Sequence, residues 1–158
     1  MGFFDGYNIA TSGMSAQRTR INVVSANIAN AQTTHGVDGG PYKKQNVVFE
    51  EILLDEINKG KNPTEVSKQT ADDILLRGVG VSSVEESKSE PMMKYDPSHP
   101  DANKDGYVAF PNINPVIEMV DSMEAMKSYE ANVSAFTTHK NIDSKTIDIL
   151  REKKKKKS

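Results

Sequence analysis

Residues 3–31 read FFDGYNIATSGMSAQRTRINVVSANIANA, and this stretch decides the fold. Alternate steps of four and three residues along it meet an apolar side chain at every position except Gln17. Apolar residues at this spacing form the seam of a helix that packs against another helix. The seam consists of Phe3, Tyr7, Ala10, Met14, Gln17, Ile21, Val24, Ile28 and Ala31. The sequence therefore predicts a helix over 3–31 that needs a helical partner.

A second long helix is predicted at the other end of the chain. Its apolar residues again recur at steps of three and four, and they are Val116, Val120, Met123, Met126, Tyr129, Val133 and Phe136. Asn114 can cap this helix, Pro115 suits its first position, and Glu118 lies in its first turn. No proline or glycine follows Pro115, so the helix can continue to about residue 150.

The stretch between the two helices has the composition of a small β-containing unit. Residues 42–52 and 75–86 are rich in β-branched side chains and favour strands. Residues 59–73 are polar and favour a loop, and residues 107–110 favour a short strand inside a proline-rich connector that begins at residue 90.

The predicted fold class is α+β, with long N- and C-terminal helices that pair as a coiled coil around their apolar seams. We expect a helical domain formed by residues 1–36 together with 113–158, and a β-rich central unit with loops at residues 37–112. The seams can meet in one chain or between adjacent subunits, and each buried side chain contributes about 1.5–3 kcal/mol. The predicted assembly seam comprises Tyr7, Met14, Ile21, Val24, Ile28, Val120, Met123, Met126, Val133 and Phe136. An isolated helix with an unmatched seam is marginal in water, so we expect poorly ordered termini in the free monomer.

Composition limits the possible functions. The 158 residues include 36% apolar and 6% aromatic residues, which is low for a compact core and typical of exposed long helices. A net charge of -2 predicts no general attraction to nucleic acid or to an anionic membrane. The sequence contains no run of about 18 apolar residues, so we predict no direct membrane insertion. The N-terminus lacks the features of a Sec-type signal, which predicts a cytoplasmic protein unless export uses a route without a cleaved signal.

The motifs that could carry chemistry are weak. Residues 101–106 (DANKDG) match the first half of a calcium loop, but the twelfth position is Asn112 where such a loop needs a glutamate. A polar turn is the better interpretation. The chain has no cysteine, and it offers no convincing nucleophile, metal set or phosphate loop. We therefore predict that it is not an enzyme and has no cofactor and no metal. The block Lys153–Lys157 is interpreted as a solvated tail.

Three segments carry a resemblance to a known family. They are residues 21–34 (INVVSANIANAQTT), residues 39–45 (GGPYKKQ), and residues 94–102 (KYDPSHPDA) with the GYV and PN that follow. With them the chain resembles the axial proteins of the bacterial flagellum, and among these the FlgC-type proximal rod proteins. The residues that match the family motifs are Asn27, Asn30, Thr33, Tyr95, Asp96, Pro97, His99, Pro100, Gly106 and Tyr107.

The resemblance implies a structural subunit of the proximal rod in the basal body, within the periplasm. Such a subunit assembles helically with itself and with other rod subunits, transmits torque and forms the wall of the export channel. The implied partners are FlgB-type and FlgF-type rod subunits, other copies of this chain, and the FliE-type adaptor to the membrane ring. The resemblance also implies type III export without a cleaved Sec signal. The alternatives are another flagellar axial subunit, or a soluble or secreted coiled-coil adaptor outside the flagellum.

Overall fold

The computed structural model describes residues 5–37, 39–54 and 77–155, with side chains as far as Lys153. The elements in chain order are α1 (Asp5–Ala29), β1 (Gln45–Leu53), β2 (Arg77–Glu86), β3 (Met92–Tyr95), β4 (Tyr107–Phe110) and α2 (Pro115–Lys155). Strand β1 pairs with β2 and strand β3 pairs with β4, in two separate two-stranded sheets. The predicted α+β class is confirmed, whereas the predicted loop at 59–73 lies outside the described residues.

The second predicted helix, α2, begins where its sequence signals place it. Its first residue is Pro115, and the side-chain oxygen of Asn114 accepts a hydrogen bond from the backbone N–H of Val116 at 3.0 Å. Its 41 residues correspond to about 60 Å of helix. Neither α1 nor α2, over its described residues, contains a segment both long and apolar enough to cross a membrane.

Strand β3 was not predicted, because prolines at 91 and 97 flank a four-residue segment without β-branched side chains. The segment nevertheless pairs antiparallel with β4, with Met92 opposite Phe110 and Tyr95 opposite Tyr107. The turn between the strands closes through a hydrogen bond from Asp96 N–H to Gly106 C=O at 2.9 Å. Gly106 has a φ of 80°, which an L side chain rarely adopts.

The chain forms two compact units, and each contains a part of both helices. The first unit includes the described residues of 5–16, 50–54, 77–80 and 127–155, and its buried apolar residues are Ala10, Ala16 and Leu54. The second unit includes 17–37, 39–49 and 81–126. Its buried apolar residues include Val24, Val108, Ile113 and Ala125, and it also buries the polar side chains of Asn27 and Glu118.

Candidate functional site

The family-motif residue Asn27 lies at the centre of a buried hydrogen-bond network in the second unit. Its side-chain nitrogen donates to Gln45 C=O at 2.8 Å and to the Glu118 carboxylate at 3.0 Å. Its side-chain oxygen accepts from Tyr42 O–H at 3.1 Å and from Gln45 N–H at 2.9 Å. An asparagine amide offers two donors and two acceptor sites, so every one of them is used. Only 1% of Asn27 is exposed, and this full satisfaction is what makes its burial favourable.

Glu118 is the charged member of this network and is equally buried, at 1% exposure. One carboxylate oxygen accepts from Asn27, and the other lies 2.5 Å from the Lys44 ammonium. The Lys44 side chain keeps 26% of its surface exposed. A buried carboxylate is tolerated only when it is paired and hydrogen-bonded. The network therefore ties the end of α1, the segment before β1 and the first turn of α2 in one fixed arrangement.

The Tyr42 hydroxyl also belongs to this network. Burial, with smaller effects from the negative charges of Glu118 and Glu86, raises the pKa of the Tyr42 phenol above its ordinary value of 10.0. The phenol consequently stays protonated at neutral pH, and its O–H remains the donor to Asn27.

In the first unit, Tyr7 makes one of the contacts between α1 and α2. Its ring meets the ring of Phe136 edge to face, with centroids 4.9 Å apart, which is a favourable aromatic arrangement. Its hydroxyl donates to the Asp143 carboxylate at 2.7 Å. That hydrogen bond is the main cause that raises the pKa of Tyr7 above 10.0, with burial and the charge of Asp143 adding to it. The predicted seam residues Tyr7 and Phe136 are thus brought together within one chain.

Small residues allow a close approach of the two helices in the first unit. A Cβ placed on Gly6 would lie 2.7 Å from the His139 ring, and one on Gly13 would lie 2.7 Å from the Asn132 side-chain oxygen. Both distances are shorter than a Cβ atom tolerates to a nonbonded atom. Two of the α1 residues that face α2 here are therefore glycines, and Tyr7 is the large one among them.

The other predicted seam residues divide between buried and exposed positions. Val24 is buried, and Met14, Ile21 and Ile28 are half-buried. On α2, however, Val120, Met123, Met126 and Val133 are exposed, Met123 by 54%. Within this chain, then, Phe136 is the predicted α2 seam residue that contacts α1, and the other four are exposed. Together with Met119 (53% exposed), Met123 and Met126 form a row on the second-unit part of α2 that we call the methionine row.

The remaining motif residues build the turns that follow α1 and join β3 to β4. Asn30 and Thr33 bond each other at the end of α1 through side-chain and backbone groups. Asp96 accepts from Ser98 N–H through its side chain, and the His99 ring accepts from Asp101 N–H. Pro97 contacts the Gly106 position, Tyr95 stacks edge to face on Tyr107, and Pro100 lies exposed in the turn after His99.

The DANKDG segment is a hydrogen-bonded turn. The Asn103 side-chain oxygen accepts from the N–H groups of Asp105 and Tyr107, both at 2.9 Å. The Asp101 carboxylate accepts from the Thr34 hydroxyl at 2.7 Å. No group of three His, Cys, Asp or Glu side chains that could hold a metal ion occurs in the described part of the chain.

Sequence reasoning included Lys44 and Gln45 in the resemblance segment 39–45 without giving them a role, and from the residues it interpreted Glu118 as a charge that favours the start of a helix. The pattern analysis looked for apolar residues at helical spacing, whereas this contact is polar. A signal does exist: Glu118, Ser122, Ala125, Tyr129, Asn132, Phe136, His139 and Asp143 follow steps of four and three. The members of this row with a described contact to α1 are Glu118, Asn132, Phe136, His139 and Asp143, and all of them except Phe136 are polar.

Comparison with known proteins identifies the family. The family model described as flagella basal body rod protein matches residues 8–36, which contain most of α1 and the Asn27 motif. The model described as flagellar basal body rod FlgEFG protein C-terminal matches residues 104–149. The flagellar basal-body rod protein FlgC of Borreliella burgdorferi is 40% identical over 154 residues, which cover 95% of this chain and 99% of that protein. This chain belongs to the FlgC family of flagellar basal-body rod proteins.

Two further FlgC proteins are similar over nearly the whole of both chains. The FlgC protein of Bacillus subtilis is 37% identical, with 94% of this chain and 99% of that protein covered. The FlgC protein of Salmonella typhimurium is 35% identical, with 94% of this chain and 98% of that protein covered. The FlgC family consists of structural rod proteins, so membership confirms both the resemblance and the prediction that the chain is not an enzyme.

Proposed function

We propose that this chain is a structural subunit of the flagellar proximal rod that assembles helically, transmits torque and contributes to the wall of the export channel. The similarity to FlgC rod proteins over nearly the whole length of both chains carries this proposal. A heterologous interface repeated along a helix builds such a filament without closing on itself.

The methionine row is our candidate for the surface that meets a neighbouring subunit. Met119, Met123 and Met126 are each about half-exposed on a regular helix. Burying a side chain of this size contributes about 1.5–3 kcal/mol, so the row can bind an apolar helix face of another subunit. We propose that α1 and α2 pair as a coiled coil and that the exposed seam residues Val120 and Val133 extend the contact to neighbours.

The finer organisation follows from the same proposal. The terminal helical domain (1–36 with 113–158) forms the tube, and the central unit (37–112) lies outside it. The neighbours are FlgB-type and FlgF-type rod subunits, other copies of this chain and the FliE-type adaptor. The rod lies in the periplasm, and the subunit reaches it through type III export without a cleaved Sec signal.

The proposal is tested in a strain that lacks the gene, complemented with variants. Wild-type protein should restore swimming and should be found in purified basal bodies. Met123→Glu should abolish both, because it places a charge in a buried subunit contact. Its purified monomer should remain as stable as wild type, since the side chain is exposed in the single chain.

Ala131→Glu is the matched control, because Ala131 is also exposed on α2 but lies off the methionine row. It should swim normally. Normal swimming by Met123→Glu would show that the row is not a subunit contact. Intact motility after deletion of the gene, with the protein absent from basal bodies, would refute the rod function itself.

A further inference from the structure

In the hairpin of β3 and β4, the outer edge of β3 is open. Hydrogen-bonded and non-bonded pairs alternate in an antiparallel ladder. Asp96 N–H bonds Gly106 C=O, so the pair Lys94–Val108 is also bonded, whereas Met93–Ala109 and Tyr95–Tyr107 are non-bonded pairs. The backbone N–H and C=O groups of Met93 and Tyr95 therefore point away from β4.

The two edges of the hairpin are treated differently. On β4, Asn103 occupies the outward groups of Tyr107: its side-chain oxygen accepts from Tyr107 N–H, and its N–H donates to Tyr107 C=O, both at 2.9 Å. On β3, the outward N–H and C=O groups of Met93 and Tyr95 form no backbone hydrogen bond with residues 5–37, 39–54 or 77–155, and the sheet contains β3 and β4 alone. An unpaired row of backbone groups is a template for another strand.

The side chains beside this open edge are apolar and held in place. Met93, Tyr95 and Tyr107 lie on one face of the hairpin and are 57%, 63% and 43% exposed. The two tyrosine rings meet edge to face with centroids 5.3 Å apart, and the Tyr95 ring rests against Gly106, where a Cβ would lie 2.8 Å away. Ordered, exposed tyrosine and methionine side chains are typical of the residues that dominate binding interfaces.

The positive charge of Lys94 on β3 indicates which residue the partner strand should carry opposite it. Lys94 lies between Met93 and Tyr95 in sequence, is exposed, and its ammonium lies 5.7 Å from the centre of the Phe110 ring. A residue opposite Lys94 in an added antiparallel strand would belong to a closely spaced non-bonded pair. Opposite charges are favourable at such a position and like charges are not. The partner strand should therefore carry an acidic residue there.

A second copy of β3 is not the expected partner. Two identical edges that pair about a twofold axis form an isologous contact, which closes after two subunits and cannot continue along a rod. We infer that the outer edge of β3 receives an extended segment of a neighbouring rod subunit, in which apolar residues flank an acidic residue. This inference rests on the proposed rod function.

Met93→Pro tests the edge directly. Proline removes the outward N–H of residue 93, and it leaves the β3–β4 ladder intact because Met93–Ala109 is a non-bonded pair. In the complemented deletion strain we expect the amount of this variant in purified basal bodies to fall by about tenfold, which corresponds to about 1.4 kcal/mol. Met93→Ala keeps the N–H and is the matched control, with a loss of about twofold or less.

Photo-cross-linking keeps the inference falsifiable if Met93→Pro is less stable than wild type. A benzophenone amino acid at Tyr95 in assembled rods should form adducts with an extended, acidic segment of another rod subunit. The same group at Lys104, an exposed turn residue outside both strands, should not. Adducts with a helix or with β3 of another copy, or no adduct, would overturn the inference, as would normal incorporation of a stably folded Met93→Pro. Absence of the wild-type protein from basal bodies would instead refute the proposed function on which the inference rests.

Discussion

Substitution of Lys44 by methionine should destabilise the second unit strongly. The change removes the ammonium that lies 2.5 Å from the Glu118 carboxylate but keeps most of the aliphatic side chain. Glu118 is 1% exposed and cannot turn to water. Removing one partner of a buried pair destabilises a protein by about 3–5 kcal/mol. Because the Lys44 side chain is 26% exposed, we expect a value near the lower end, about 3 kcal/mol.

The neighbouring residue supplies a matched control. Lys43 forms an ion pair with Glu86 at 3.1 Å, but the two side chains are 60% and 53% exposed. An exposed pair contributes about 0–1 kcal/mol, so Lys43→Met should change stability little. Thermal and urea unfolding followed by circular dichroism measure both variants. For a chain of this size, about 3 kcal/mol corresponds to a decrease in Tm of about 6–12 °C.

A double-mutant cycle assigns the loss to the uncompensated charge. Glu118→Gln keeps a side-chain oxygen that can accept from Asn27 and removes the negative charge. In the Lys44→Met background it should therefore recover part of the lost stability, with a coupling energy of about 2 kcal/mol. Equal stabilities of Lys44→Met and Lys43→Met, within about 0.5 kcal/mol, would refute the reasoning that this buried pair fixes the network.

Two predictions concern the contact of α1 with α2 in the first unit. Gly13→Val should destabilise the protein by about 1–3 kcal/mol through overpacking against Asn132. Thr11→Val, on the exposed side of α1, should have a stability within about 0.5 kcal/mol of wild type. Urea unfolding measures both variants, and equal unfolding midpoints would contradict close packing at Gly13. Asp143→Ala should lower the pKa of Tyr7 towards 10.0, because the hydrogen bond that raises it is lost. The folded-state pKa lies above the unfolded value, so this bond stabilises the protein below pH 10 and the stabilisation disappears as the pH rises through the folded pKa. Tyrosinate absorbance in an alkaline titration, with Tyr7→Phe to assign the signal, measures the shift, and an unchanged titration would refute it.

Much of the architecture could be predicted from local signals. The cap at Asn114 and the proline at 115 identify the start of α2, and the absence of later breakers accounts for its length. β-Branched residues identified β1 and β2 to within a few residues. Strand β3 could not be predicted in this way, because Met92, Met93 and Lys94 have little strand preference and the strand depends on its pairing with β4.

The candidate site could be predicted only in part, and the reason is physical. Apolar periodicity shows which face of a helix avoids water, but it does not show which neighbour covers that face. On α2 the most apolar face includes the methionine row, and it is exposed in the single chain. The α2 residues that meet α1 instead include Glu118 in one unit and Asn132, Phe136 and His139 in the other.

The contact within the chain and the exposed methionine row differ in how precisely they fix a partner. The contact within the chain uses hydrogen bonds, a buried ion pair, one aromatic pair and glycines at close approaches, which require precise geometry and so fix a register. Apolar rows such as Met119, Met123 and Met126 are less directional, and the flexible methionine side chain adapts to differently shaped partners. On the proposed function, in which the subunit meets copies of itself and subunits of other types, it needs both kinds of surface. The polar network around Asn27 would define the subunit, and the adaptable apolar row would join it to unlike neighbours.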